Sequence, residues 1–486
     1  IYRAKAPTGL GFHIDFGIAL TMKQWDPTSG SLEMPILRAF YAEGGSPEIV
    51  IASVFDRIEA RGQSAVWTSL RSRESVLADA RAMSRADMSS KPLWGIPFGI
   101  KDNLDLAGMQ TTNGCRAHAR TATETTFIVQ RLVDAGALPI GKNNMDQFGV
   151  GLNGTRTDFG IPRCVFDPDY ISGGSTSGGG VAVASGLVSF ALGGDAAGSG
   201  RVPAALNNIV GLKPTPGLVP NTGIPTVAGL VGTNSVLTLT VEDAVTATKV
   251  ILGYDPGDPF SKPEARSYSL ALPDLPISFR FAVPDAGSRV FFGDAEAERL
   301  FDESVSLLTS LGGTAVPTDI TDFLAAARML YEGPFIAQRT ANLDAFLKDH
   351  ADEVFPATRE ILSWGHKYTA KDLFRSEYWM LGVKQKARVL FRDVAFLATP
   401  TTPTTVTVEA MLADNIAHNA MLGTYTNFVN LLDLPSISVP GGFRADGLPL
   451  GLMLTGASLD DARLAGFAAA YQKASGLRPG ATGVAI

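Results

Sequence analysis

Two glycine-rich stretches decide how this chain folds: Gly173-Gly-Ser-Thr-Ser-Gly-Gly179 and Gly194-Asp-Ala-Ala-Gly-Ser-Gly-Arg201. Composition alone would predict a flexible linker for such a run. However, Val, Ala, Leu and Phe fill the segment Val181 to Leu192 between them, and these are core residues. We therefore predict a buried helix followed by a strand here, with the glycines at tight turns or close to a ligand.

The residues before these stretches alternate between helix and strand patterns. Apolar residues recur at three- and four-residue spacing over 31–85, which predicts two or three amphipathic helices. Proline and glycine then break the helical pattern, and a short strand-like run ends at Ile100, with Lys101 next. A helix over 126–135 and an apolar run over 137–140 repeat this order. Alternating helices and strands favour an α/β fold.

The residues after the stretches continue this pattern. Proline, aspartate and serine over 254–290 predict an excursion across the surface. Further elements are predicted as helices at 295–311, 322–331, 339–349 and 371–391, and as strands at 394–398 and 436–439. We expect residues 26–486 to form a single domain. Residues 1–25, which contain the first methionine at position 22, are expected to be a leader or extension outside the core.

Charge and composition exclude several classes of protein. The formal net charge is −7 and no run of Lys or Arg is present, so nucleic acid is not expected as a partner. Two cysteines are too few for a disulfide framework, which is consistent with a cytoplasmic protein. The five histidines are scattered, so no metal site is expected. No apolar run is long enough for a membrane helix.

The glycine-rich stretches also carry serines that could act as nucleophiles. A serine hydroxyl needs a base within hydrogen-bond reach, and the sequence shows neither a Ser-His-Asp order nor a GxSxG turn. A lysine is the natural substitute. Together with Gly95-Ile-Pro-Phe-Gly-Ile-Lys-Asp102, the two stretches resemble the motifs of the amidase signature family. That resemblance implies a serine amidohydrolase with an α/β fold, in which a large mixed β-sheet core is flanked by α-helices on both sides.

The resemblance assigns a role to each catalytic position. Ser199 is the implied nucleophile, Ser175 the bridging serine and Lys101 the base, whereas Lys142 is a weaker candidate for the base. For Lys101 to accept a proton near neutral pH, burial must lower its pKa from about 10.4 by several units. The resemblance further implies an acyl-enzyme intermediate on Ser199, with no cofactor.

The family also implies supporting positions around these three residues. The Gly174–Ser175 peptide bond is expected to be cis, and Asp195 and Arg201 are expected to support the loop that carries Ser199. Backbone N–H groups are expected to form an oxyanion hole at Ala196, Ala197, Gly198 and Ser199. Ala196 stands where the family often has threonine.

Within the family, the chain is similar to the amidase domain of allophanate hydrolases. The similarity lies in segments 198–216, 331–334 and 423–433, whereas residues 221–230 depart from that subgroup. It implies that Tyr331 and Arg339 hold a substrate carboxylate, since an arginine fork suits a planar anion, and that Gly174 also contacts the substrate.

A small amide, ureido or carbamate molecule is therefore the expected substrate. A urethanase acting on carbamates and a broad-specificity aryl acylamidase remain open as alternatives. So do a non-catalytic binding protein and one subunit of an amidotransferase. A homodimer is left open as the assembly.

Overall fold

The computed structural model describes residues 25–62, 64–224 and 228–482. Residues 1–24, which make up nearly all of the predicted leader, lie outside the described part of the chain. The single domain over 26–486 stays a prediction.

The described residues form thirteen β-strands and sixteen α-helices. The strands are β1 (Trp67–Leu70), β2 (Pro97–Lys101), β3 (Gln110–Thr111), β4 (Arg120–Thr121), β5 (Leu138–Asn143), β6 (Phe190–Asp195), β7 (Val210–Lys213), β8 (Thr233–Thr238), β9 (Phe279–Pro284), β10 (Gly313–Thr318), β11 (Leu397–Pro400), β12 (Ser436–Phe443) and β13 (Pro449–Thr455). The helices are α1 (Met34–Ala42), α2 (Pro47–Arg61), α3 (Arg73–Ala82), α4 (Phe127–Asp134), α5 (Ser177–Ala184), α6 (Arg201–Leu206), α7 (Val241–Ile251), α8 (Ala295–Ser310), α9 (Thr321–Glu332), α10 (Ala337–His350), α11 (Pro356–Ser363), α12 (Ala370–Asp393), α13 (Val408–Ala413), α14 (Asn415–Leu422), α15 (Asn427–Leu431) and α16 (Asp461–Ser475).

Eleven of these strands form one mixed sheet, in the order β1-β5-β2-β6-β8-β7-β12-β13-β11-β9-β10. Parallel pairs lie toward the two ends of the sheet, where β2 is parallel to β5 and β6 and β9 is parallel to β10 and β11. The pairs between them, from β6 and β8 to β13 and β11, are antiparallel. Strands β3 and β4 form a separate small sheet. The prediction of a large mixed sheet in an α/β fold is confirmed.

Helices cover both faces of the large sheet because side chains along a strand alternate in direction. The consecutive residues Met453 and Leu454 of β13 show this alternation. Leu454 packs in an apolar core with Phe396, and Met453 packs in a different core with Leu397. The sheet is therefore buried on both sides, as predicted.

The predicted helices and strands match the structure, with two corrections. The region 31–85 holds three helices as predicted, but the strand β1 lies between the second and the third. The region 254–290 is not only a surface excursion, because its last third contains β9, which is hydrogen-bonded between β10 and β11. Prolines and serines on either side of β9 made this strand unrecognisable in the sequence. Its burial depends on β10 and β11, which lie beside it in the sheet.

The sheet places the glycine-rich stretches beside the end of β2. Phe98 of β2 stacks on Phe190 of β6, with ring centroids 5.0 Å apart, and the two strands run parallel. Parallel strands end at the same edge of a sheet, so Lys101 at the end of β2 lies beside Asp195 at the end of β6. Helix α5 begins at Ser177, directly after the first stretch. Among the described helices, none has the length and apolar character needed to cross a membrane.

Candidate active site

The ends of β2 and β6 open into a small cavity of about 90 Å³, called here the Lys101 cavity. Its lining includes Lys101, Ser175 and Ser199, the three residues predicted to be catalytic, together with Ala196 and Arg339. Residues that lie far apart in the sequence thus meet in one concave site.

The amine of Lys101 is buried and bonded to a serine. Its Nζ donates to Ser175 Oγ at 2.6 Å, and the side chain is almost wholly removed from solvent. Burial lowers the pKa of Lys101 from 10.5 to about 7; the nearby Asp146 and Asp195 oppose that shift and Arg339 adds to it. Near neutral pH a large fraction of this amine is uncharged and able to take a proton.

Ser175 follows a peptide bond that is cis, as predicted for Gly174–Ser175. The carbonyl of Ser175 accepts from the Asp146 N–H at 3.2 Å, which ties this segment to the loop after β5. Both backbone and side chain of Ser175 are thereby fixed.

Gly174 does not line the Lys101 cavity, so its predicted contact with the substrate is not supported by the structure. Its N–H donates to Leu152 O at 2.8 Å, inside the protein. A Cβ atom here would lie 2.2 Å from Asp146 Oδ2. Glycine is therefore required here for a close approach of the backbone to Asp146, and the contact of Gly174 with the substrate stays a prediction.

Asp195 and Arg201 hold the loop that carries Ser199. Their buried side chains form a bidentate pair, with Arg201 Nη2 to Asp195 Oδ1 at 2.8 Å and Arg201 Nε to Asp195 Oδ2 at 2.9 Å. Burial alone would raise the pKa of Asp195, but the Arg201 guanidinium outweighs it and holds this pKa below its usual value. The carbonyl of Ser199 accepts from Thr176 N–H at 3.1 Å. The two glycine-rich stretches are thus bonded to each other.

The backbone amides around Ser199 are not equivalent. Gly198 N–H donates to Asp195 Oδ1 at 2.9 Å and is therefore already used. The amides of Ala196, Ala197 and Ser199 have no acceptor among the described residues. Of these three, Ala196 and Ser199 line the Lys101 cavity, whereas Ala197 lies between them in the chain and does not. The predicted oxyanion hole stays a prediction, with Gly198 the least suited of its four donors.

Lys142 does not line the Lys101 cavity. Its Nζ lies 3.2 Å from Asp102 Oδ1 and 2.8 Å from Thr111 Oγ1, and the side chain is fully buried. Burial lowers the pKa of Lys142, and Asp102 opposes this shift. Lys142 thus helps to hold the strand ends together, which agrees with its ranking below Lys101 as a base.

Arg339 brings a cation without a carboxylate partner into the cavity. It forms no ion pair within the described residues, and its Nη1 makes only a long contact of 3.4 Å to Gly149 O. Its guanidinium carbon lies 5.5 Å from the ring centre of Tyr331. The Nη2 of Arg339 and the Oη of Tyr331 are both buried without a hydrogen-bond partner in the described part of the chain. Such unsatisfied groups are costly unless a ligand bonds to them.

Sequence reasoning missed several residues that line the Lys101 cavity. They lie outside the motifs, Asn234 in β8 and the others in connecting segments: Asn103, Asn113, Phe148, Asn221 and Phe260. The Nδ2 of Asn113 lies 3.2 Å from His118 Nδ1, which orients its amide. A Thr-Asn-Gly run indicates a turn, and nothing in it signals a cavity. Within the described ranges, no cluster of His, Cys, Asp or Glu is placed to hold a metal ion.

Comparisons with known proteins identify the family and the relatives of this chain. A sequence model of the amidase family matches residues 49–465. Urea amidolyase of Saccharomyces cerevisiae is 36% identical over 87% of this chain, but this chain spans only 23% of that protein. The matching subunit of the glutamyl-tRNA(Gln) amidotransferase of Exiguobacterium is 31% identical, over 88% of this chain and 94% of the relative. Allophanate hydrolase of Kluyveromyces lactis superposes with a TM-score of 0.87 at 32% identity, over 95% of this chain and 76% of that structure.

Proposed function

The chain belongs to the amidase family of hydrolases, which act on carbon–nitrogen bonds other than peptide bonds, and we propose that its substrate is a small ureido carboxylate of the allophanate type. The observation that carries this proposal is the unpaired guanidinium of Arg339, which faces the same cavity as the Lys101–Ser175 hydrogen bond. A compact substrate suits a cavity of about 90 Å³. Its carboxylate would bond to Arg339, which lines the cavity, and to Tyr331, which lies behind Arg339 and does not itself line the cavity; both have a buried unpaired donor.

Ser199 is the proposed nucleophile. Its Oγ bonds to the substrate carbonyl carbon while its proton passes to Ser175 Oγ, whose own proton passes to Lys101 Nζ. The 2.6 Å contact between Lys101 and Ser175 supports the second transfer. Negative charge on the carbonyl oxygen would be stabilised by the amides of Ala196, Ala197 and Ser199.

Breakdown of this tetrahedral intermediate reverses the proton path. Lys101 returns its proton through Ser175 to the leaving nitrogen, the C–N bond breaks and an acyl-enzyme on Ser199 remains. Water then attacks the acyl carbon and gives a proton to the same relay. The bond between Ser199 Oγ and that carbon breaks as the relay returns the proton to Ser199 Oγ, which releases the acid product and restores the enzyme. A pKa near 7 suits Lys101 to both directions, because the group must both take and give a proton.

The competing proposal is a urethanase or aryl acylamidase, whose substrates have no carboxylate for Arg339. The two are separated by measuring kcat/KM for allophanate and for phenyl carbamate in wild type and in Arg339→Ala. At a pH high enough for Lys101 to be uncharged in both proteins, loss of a charge-assisted hydrogen bond should reduce the allophanate value about 10- to 150-fold, with little change for phenyl carbamate. Arg359→Ala, on an exposed ion pair, is the matched control.

Equal losses on both substrates would refute the carboxylate role of Arg339. A preference for phenyl carbamate in the wild type would favour the urethanase. Labelling by a serine-reactive fluorophosphonate, lost in Ser199→Ala, tests the nucleophile separately; labelling that survives Ser199→Ala would remove Ser199 from that role.

A role within an amidotransferase remains a further candidate because of the Exiguobacterium relative. The formal charge of −7 opposes contact with RNA. The cytoplasmic location and the homodimer remain predictions from the sequence.

A further inference from the structure

A second cavity, larger than the first, lies along helix α12. It measures about 580 Å³, which is within the range of small-molecule sites, and is called here the α12 cavity. Its apolar lining includes Phe335, Met380 and Phe391. None of the catalytic assignments made above uses this cavity.

The charged residues of the α12 cavity are unevenly distributed. Lys384 and Arg388 both line it and stand four residues apart, on one face of α12. Neither forms an ion pair with any described residue, whereas Asp433 in the same lining is held by Lys262 at 2.6 Å. Glu377 also lines the cavity, but it lies seven residues before Lys384, or about 10 Å along the helix. One end of the cavity is therefore basic and next to apolar surface.

One short segment separates the α12 cavity from the Lys101 cavity. Ala228, Gly229 and Gly232 line the Lys101 cavity, whereas Leu230 and Val231 line the α12 cavity. Leu230 is 69% exposed, so its side chain offers apolar surface to a molecule in the α12 cavity. A molecule packed against Leu230 would therefore contact the same short segment that forms part of the wall of the Lys101 cavity.

A side chain in the α12 lining also reaches the catalytic loop. The Nδ2 of Asn430 donates to Asp195 O at 2.6 Å and to Val231 O at 2.6 Å. Asn430 itself lines the α12 cavity and is buried. Asp195 in turn accepts the Gly198 N–H, next to Ser199. A shift of Asn430 would therefore be transmitted to the backbone around Ser199.

From these observations we propose that the α12 cavity is a second ligand site for a small anionic molecule with an apolar body, and that its occupancy alters hydrolysis in the Lys101 cavity. The anionic group bonds to Lys384 and Arg388, and the apolar body packs on Met380, Phe391 and Leu230. Two unpaired cations beside apolar side chains favour such a molecule over a neutral or cationic one.

The test uses anilinonaphthalene sulfonate, a fluorescent probe with a sulfonate and an apolar ring system, on the full chain. We expect the double variant Lys384→Gln/Arg388→Gln to weaken probe binding at least tenfold. The control Lys371→Gln/Arg375→Gln removes the same charge from exposed positions of α12 that do not line the cavity. The two control positions lie near the exposed aromatic residues Phe374 and Tyr378. Weaker binding in the control would therefore show that the probe binds to those residues rather than in the α12 cavity.

Equal weakening in both double variants, or none in either, would overturn the proposed site. A second variant, Ala387→Trp, fills the cavity from its buried wall and should also abolish binding. The thermal midpoint of each variant shows whether it is folded.

The coupling between the two cavities is tested by measuring hydrolysis. Saturating probe should change kcat/KM at least threefold in wild type and in the control, but not in Lys384→Gln/Arg388→Gln. A bound probe without effect on hydrolysis would refute the coupling. The binding titration does not depend on the proposed reaction. The proposed ligand site and the proposed function can therefore be refuted independently.

Discussion

The rate of hydrolysis should rise with pH through a value near 7, and replacing Arg339 should move that rise to higher pH. Lys101 acts as a base only when its amine is unprotonated, so lowering the pH below its pKa removes activity. That pKa is about 7 because the amine is buried, and the cation of Arg339 lowers it further. Arg339→Gln removes the positive charge and should therefore raise the pKa of Lys101.

The size of the effect follows from the depression of this pKa. With a pKa of about 7, roughly half of the Lys101 amines are uncharged at pH 7, against about three in ten thousand at the ordinary value of 10.5. The site thus gains more than about a thousandfold in active base at neutral pH. Removal of Arg339 should raise the pKa of Lys101 only part of the way back to its ordinary value, because burial is the largest cause of the lowering.

The assay is the pH profile of kcat/KM, which reports groups of the free enzyme. Phenyl carbamate is the substrate of choice because it has no carboxylate, so loss of Arg339 does not also remove a binding contact. Arg359→Gln, an exposed arginine in an ion pair with Asp352, is the matched control and should leave the profile unchanged. A rising limb that stays in place in Arg339→Gln, or moves to lower pH, would refute the electrostatic reasoning.

Three further predictions follow from buried polar groups. Ser175→Ala should lower kcat by about 10²- to 10⁴-fold, as expected for loss of a proton relay, with an unchanged circular dichroism spectrum; near-normal turnover would contradict the relay. Arg201→Met should destabilise the protein by about 3–5 kcal/mol in urea unfolding, because Asp195 is left as an unpaired buried charge, whereas Arg299→Met on an exposed pair should show no measurable change. Burial raises the pKa of Asp243 to about 7, so its folded form holds a proton that the unfolded form releases above about 4, and stability should fall as pH rises between these values. Asp243→Asn should therefore raise the thermal midpoint more at pH 8 than at pH 5, and an equal gain at both would contradict this.

The three motifs could be recognised in the sequence through their family resemblance, and the structure shows why their glycines cannot be replaced. Gly198 illustrates this: its φ is +135°, and a Cβ atom there would lie 2.4 Å from Thr426 Oγ1. Only glycine satisfies such a position, so the constraint is visible in the sequence itself. The same holds for the end of β2, where a short apolar run places Lys101 at the edge of the sheet.

The remainder of the site could not be predicted because it depends on contacts between distant loops. Asn113 and Phe260 reach the Lys101 cavity from segments whose composition indicates only turns. The use of the Gly198 amide by Asp195, which reduces the set of available donors, is likewise a matter of three-dimensional geometry. Strand β9 was hidden for a related reason, since its position between β10 and β11 is decided by strands made later in the chain.

The central position of β12 and β13 has a consequence for biosynthesis. This hairpin lies between β7 and β11, although every other strand of the sheet precedes it in the chain. A nascent chain that has just left the ribosome as far as residue 430 therefore has two half-sheets, each with an open edge where the hairpin will later bond. Such edges pair readily with other chains, so premature termination in this region should yield aggregates rather than a smaller folded protein.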